Sequence, residues 1–118
     1  MAMLETIENK LMELGFPVYY GIAKEAKAGA LWNYIVFNRD RTVRSQNRTG
    51  YSDYFQVALV HENFIPVGIV ENIVDKMESI PGMRLAQEDI QYTYTEKDST
   101  KAVVELTVMS FVCPRKRV

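Results

Sequence analysis

The sequence predicts an α+β domain: an antiparallel sheet of about four long strands, two helices packed on one of its faces, and a long hairpin loop. Three patterns point there. Residues 51–62, YSDYFQVALVHE, alternate with the two-residue period of a strand, Phe55, Val57 and Leu59 against Tyr54, Gln56 and Ala58. VGIVENIVDKM comes after a short break, with Val67, Val70, Val74 and Met77 on one helical stripe and Ile73 beside it. Alternating segments on both sides of this strand–helix unit supply the remaining strands, and a helix folding back over a sheet makes a two-layer core.

From the N-terminus, residues 3–14 are predicted as the first helix. Leu4, Ile7, Leu11 and Leu14 form its apolar stripe, and Gly15 stands where a C-terminal cap belongs. FPVYYG is a short extended piece that Pro17 holds out of helix. Residues 22–30 are small, charged and stripeless, and read as a loop rather than a weak helical turn. Residues 31–38 form a strand with Trp32, Tyr34 and Val36 on one face and Ile35 and Phe37 on the other. Residues 39–50, RDRTVRSQNRTG, break the alternation and read as the long basic tip of a hairpin. Loops of that length tend to be functional.

Pro66 is expected in the first turn of the second helix, where its missing N–H costs nothing. A turn at Pro81-Gly82 leads to a strand over 88–96, with Ile90, Tyr92 and Tyr94 on one face. The last strand, 101–113, places Ala102, Val104, Leu106 and Val108 on one face and Val103, Met109 and Phe111 on the other. Pro114 is expected to end it, leaving 114–118 as a short basic tail.

At 118 residues, with 47% hydrophobic and 25% charged residues, the chain is one domain of ordinary globular composition. A net charge of −1 argues against a generally basic nucleic-acid binder. The single cysteine, Cys113, permits no intramolecular disulfide, which suits an intracellular setting. No apolar run reaches membrane-spanning length, and the opening MAMLETIENK lacks the pattern of a signal peptide. Asn47-Arg48-Thr49 matches the glycosylation pattern, but nothing else suggests secretion.

Catalytic, cofactor and metal-ligating patterns are not apparent. His61 is the only histidine, and a catalytic pair with Cys113 is weaker than the alternative of a structural imidazole and a buried, inert thiol. No spacing of His, Cys and carboxylates suggests a metal site, and Asp53 and Glu88-Asp89 read as strand-edge charges. Gly15, Gly21 and Gly29 do not form a phosphate loop.

Positive charge, in contrast, is concentrated. Arg39, Arg41, Arg44 and Arg48 lie in the hairpin tip, and Arg115, Lys116 and Arg117 in the tail, together half of the chain's fourteen basic residues. These segments are either solvated or a contact surface for an acidic partner, protein chain or phosphate backbone. Tyr51 and Tyr54 are the aromatics nearest the tip. Strands 31–38 and 101–113 carry bulky groups on both faces, yet two helices cover only one. Either the hairpin curls over the second face or a second subunit covers it, and the subunit is the favoured reading.

The succession MLETIENKLMELG, VYYG, WNYIVFNRD entering a polar loop, GYSDYFQVALVHE, a second helix and QYTYTEKDSTKAVVELTVMSF resembles the tail-terminator (tail-completion, head–tail joining) proteins of long-tailed bacteriophages. The resemblance lies in architecture and residue character along nearly the whole chain. It implies a non-catalytic structural virion protein, typically a hexameric ring without cofactor, that caps the tail tube and meets the head connector. It places Arg39, Arg41, Arg44 and Arg48, with Tyr51, Tyr54, Arg115 and Arg117, at a protein interface. Head–tail connector adaptors and stoppers are the neighbouring alternative. A small nucleic-acid-binding module using the 39–48 arginines is the alternative from another class.

Overall fold

The computed structural model describes residues 2–22, 32–45, 49–87, 89–97 and 100–116. Its elements run α1 (Met3–Met12), β1 (Val18–Tyr20), β2 (Tyr34–Arg44), β3 (Gly50–Glu62), α2 (Ile69–Glu78), β4 (Arg84–Leu85), β5 (Tyr92–Glu96) and β6 (Val103–Lys116). The fold is α+β, with two helices and a mixed sheet of six strands rather than an antiparallel sheet of four. Strands β1, β2, β3 and β6 are neighbours in that order, and β4 and β5 both line the far edge of β6. The β1–β2 pairing is parallel and the others are antiparallel. Three long strands carry the sheet and three short ones trim its edges.

Ladder register assigns every residue to a face. Ile35 pairs with Leu59 and Phe37 with Val57, while Val57 pairs with Met109 and Phe55 with Phe111. All of these point to the helical side and are buried. Ile7 and Leu11 of α1 and Val70, Ile73 and Met77 of α2 close on the same cluster, so both helices pack on one face. The periodicity of α1 is confirmed, with Leu4 and Leu14 flanking the buried pair.

The second helix departs from expectation. It starts at Ile69 because Gly68, its N-cap, has φ 93°, a conformation that breaks any helix reaching back through Pro66. Val67 is therefore fully exposed instead of leading the stripe, and Ile73 is central to it. The strand expected over 88–96 is regular only from Tyr92. The predicted loop at 22–30 lies outside the described residues from 23 onward.

The larger correction concerns the hairpin. Residues 39–44, expected as loop, continue β2. Arg41 pairs with Tyr54, Thr42 with Asp53, Val43 with Ser52 and Arg44 with Tyr51. The register slips by one residue between Arg39 and Arg41, a bulge that admits Asp40 and reverses the in–out phase of residues 41–44. Likewise β6 does not stop at Cys113, because Gly50 pairs with Lys116. Pro114 is tolerated inside the strand because of its parity. Ser110 turns its N–H to the Gln87 side chain and its C=O to Ala86 N, away from β3. Pro114, four residues on, therefore lacks its N–H on the outer edge, where no ladder bond is lost. Residues 39–44, 50–55 and 111–116 thus form a three-stranded arm, and the molecule extends 52 × 28 × 22 Å.

Candidate assembly surface

Two features distinguish this surface: the sheet face opposite the helices and the arm. On the opposite face Tyr34, Val60 and Leu106 form one cross-strand row and Val36, Ala58 and Val108 the next. Among the described residues no helix lies over them, although Val60 is itself buried. Tyr34, Val36, Ala58 and Leu106 are half-buried, and Val108 is 49% exposed. Tyr19 packs edge-on against Tyr34 at 5.8 Å, and burial pushes the Tyr34 hydroxyl above the usual phenol range. The hairpin does not curl over these rows, since its strands stay in the sheet out to Arg44 and Gly50.

One end of this face is closed by a polar latch. Lys97 Nζ donates to Glu62 Oε1 at 2.6 Å and stands 5.5 Å from the Trp32 ring centre. Trp32 N–H donates to the same carboxylate at 3.2 Å, and Glu62 N–H donates to Asn33 Oδ1. Beneath them Val104 is fully buried. The Lys97 hydrogen bond holds the Glu62 carboxyl below its ordinary range against the opposing effect of burial. Lys97 is only 3% exposed. Its burial depends on partners 35 and 65 residues away, which no local spacing signals.

In the arm, tip and tail are not separate basic segments, because β3 joins them. Arg41 lies over the Tyr54 ring at 4.0 Å on the open face and pairs with Asp40 at 2.6 Å. On the helical side Arg115 lies over Tyr51 at 4.7 Å and pairs with Asp53 at 2.6 Å. Asp53 also accepts from the Thr42 hydroxyl at 2.8 Å, so it organises the arm instead of standing as an isolated edge charge. Arg39 Nε donates to the Tyr20 hydroxyl at 3.3 Å. Arg44 is exposed and, among the described residues, is in no ion pair. Arg48 and Arg117 lie outside the described residues. Six of the eight interface candidates thus converge on one arm, as two arginine–tyrosine stacks on opposite faces with Arg39 and Arg44 beside them. The pairing carboxylates, Asp40 and Asp53, were missed by the sequence reading. Asp53 was the recoverable one, since it shares a strand face with Tyr51.

The proposed chemistry of Cys113 and His61 finds no geometry. Cys113 lies opposite Asp53 on β3, eight residues from His61, a separation of about 26 Å along the strand. Its thiol is 7% exposed, and burial, with Asp53 nearby, pushes its pKa up. His61 packs edge-on against Phe16, and its Nδ1 is 2.8 Å from the Glu62 carbonyl. Among the described residues no group of three or more His, Cys or carboxylate side chains is placed to hold a metal ion. No described helix is long and apolar enough to cross a membrane. In comparison with known proteins, the chain matches no family profile and no curated sequence.

Proposed function

We propose that this protein is a self-associating structural component of a bacteriophage tail, a ring of the tail-terminator type that caps the tail tube and meets the head connector. The observation that carries the proposal is the partly covered apolar sheet face opposite the helices. Rows of tyrosine, valine and leucine lie on the side of the sheet that no described helix covers, with Val108 among them 49% exposed. Contiguous apolar surface of this kind marks an interaction site, and closed symmetric oligomers are the usual solution for a small domain. The projecting arm adds a second contact element, stiffened by its two arginine–tyrosine stacks.

The same arginines support a protein partner better than a phosphate backbone. Arg41 and Arg115 are already matched to Asp40 and Asp53 in the chain, which reduces the uncompensated charge that a nucleic acid would neutralise. Connector adaptors and stoppers share this logic and differ in which partner occupies each face of the ring.

The test is sedimentation velocity of the purified chain across a wide concentration range, alone and with tail tubes, together with negative-stain electron microscopy. Rings, and tubes arrested in length with density at one end, are the expected result. A monomer under every condition, with tube growth unaffected, overturns the proposal.

A further inference from the structure

The chain's charge is segregated. Residues 39–55 and 111–118 hold seven basic and two acidic residues, while the rest holds seven basic and thirteen acidic, a formal +5 against −6 along the sequence. The arm falls in the basic share. On the far edge of β6 from β2, an apolar groove lies between α2 and the β4–β5 segment. Val70, Val74, Leu85, Ile90 and Tyr92 line a cavity of about 380 Å³, which Glu71 and Asp75 rim from adjacent turns of α2. A second cavity of about 210 Å³ continues it past Pro66 and Val67 to Glu105. Exposed Val67 and Phe64 extend this apolar lip, and Tyr92 remains 44% exposed.

Among the described residues, neither Glu71 nor Asp75 is in an ion pair. Glu105 is occupied, accepting from Ile65 N–H at 2.7 Å and from the Tyr94 hydroxyl. Glu78 fixes the far wall by accepting from Leu85 N–H at 3.0 Å. The groove is therefore a built apolar slot with two unpaired carboxylates along its rim.

We infer that this groove receives the β2 end of the arm, Arg41–Arg44, from a second copy of the chain. The match is chemical. Val43, 44% exposed, is flanked on the other face by Arg44, which among the described residues is in no ion pair, and on its own face by Arg41, which would exchange an exposed pair with Asp40 for the groove carboxylates, an apolar knob between guanidinium groups for an apolar slot between carboxylates. The edge is also the available one. On β6 the outer edge is blunted by Pro114, whereas β1 covers β2 only at Ile35–Phe37, and among the described residues no strand pairs with Arg41–Arg44 on that side. A chain cannot fill its own groove. Arg41–Arg44 lie on β2, with β3 and β6 between them and Leu85 of β4, the groove wall nearest the arm. The contact is therefore head-to-tail between copies, the heterologous kind that closes into a ring or runs on as a filament. The inference rests on the self-associating reading and names its contact.

The experiment is charge reversal with rescue. Glu71→Arg with Asp75→Arg reverses the groove, and Arg41→Glu with Arg44→Glu reverses the arm. Sedimentation velocity reads association, and thermal melts check folding. Wild type should associate less tightly as salt rises. Each reversed protein should lose at least about tenfold in association, since like charges brought together across an interface repel strongly. An equimolar mixture of the two should recover it, because each arm then meets an opposite groove. The near-isosteric pair Glu71→Gln with Asp75→Asn, which leaves packing intact, should also weaken association.

If the reversed proteins associate like wild type, or the mixture of folded variants does not recover, the arm-in-groove contact is wrong while wild-type rings keep the tail reading alive. If wild type associates through arm and groove but makes open filaments that leave tube growth unaffected, the contact stands and the terminator reading falls. A wild type that never associates removes both.

Discussion

Replacing Val108 with lysine asks whether the sheet face opposite the helices is covered in the working protein. In the isolated chain Val108 is 49% exposed, so a lysine there keeps its ammonium in water and lays its stem along the sheet. The monomer should lose no more than about 0.5 kcal/mol. The assembly should lose far more. A buried valine contributes about 1.5 kcal/mol or somewhat more, about half of it still to be gained on association, and desolvating an ammonium costs several kcal/mol besides. A loss of about 3 kcal/mol, roughly a hundredfold in the association constant, is the working expectation. Val104 is the control, on the same strand and face but fully buried beneath the Lys97–Glu62 latch. Val104→Lys should unfold the monomer, because the charge has no route to water. The assays are thermal denaturation at low concentration and sedimentation velocity at high concentration. A Val108→Lys protein that melts and associates like wild type would refute the claim that another surface covers this face.

The same geometry fixes three further outcomes. Ile73→Ala should cost about 2–5 kcal/mol in a denaturant melt, because the side chain is wholly enclosed between α2 and the sheet, whereas Val67→Ala should stay within about 0.5 kcal/mol. The Glu62 carboxyl titrates below its ordinary value in the folded chain, so its stabilising contribution is present above the unfolded pKa and is lost as pH falls through the depressed folded pKa. Glu62→Gln should flatten the acid limb of a stability–pH curve relative to wild type, and an unchanged limb would assign acid sensitivity elsewhere. Cys113, buried and with a raised pKa, should react with iodoacetamide far more slowly in the native chain than in denaturant at neutral pH, measured by mass spectrometry.

The legible parts of this fold are those where one element's pattern suffices. The stripe of α1, the alternation of β3 and the double-faced character of β2 and β6 all come from residue spacing. The arm was misread because its phase is broken. The Asp40 bulge moves Arg41 and Val43 to the face opposite Ile35 and Phe37, so a continuous strand looks like the end of one. Pro114 misleads for a related reason: whether a proline ends a strand depends on which side its missing N–H would face, and parity against a partner decides that. The parallel β1–β2 contact and the Lys97–Glu62 latch rest on long-range neighbours alone. Of the site, residue types were readable but pairings were not, since β3 and β6 had to be zipped together before Arg115 could meet Asp53 and Tyr51.

Extending the hairpin into a three-stranded arm changes what the basic cluster can do. A twelve-residue flexible loop carrying four arginines would lose much of its conformational freedom on docking, at about 1–2 kcal/mol for each backbone residue fixed. In the arm that cost has been met on folding for residues 39–44 and 50–55, held in ladders to β3 or β6 apart from the bulged Asp40. The stacks on Tyr54 and Tyr51 and the pairs with Asp40 and Asp53 restrict two of the long side chains as well. Ordering costs at an interface commonly exceed what a rim ion pair returns. In the proposed arm-in-groove contact, a pre-ordered arm would let modest electrostatics and one exposed valine suffice for docking, with charge complementarity selecting the partner surface. Loosening the arm should then weaken association without altering a single contact residue. Asp53→Asn, which removes the Arg115 pair while keeping an acceptor for Thr42, is the variant that tests this. A dissociation constant unchanged from wild type would show that pre-ordering contributes nothing.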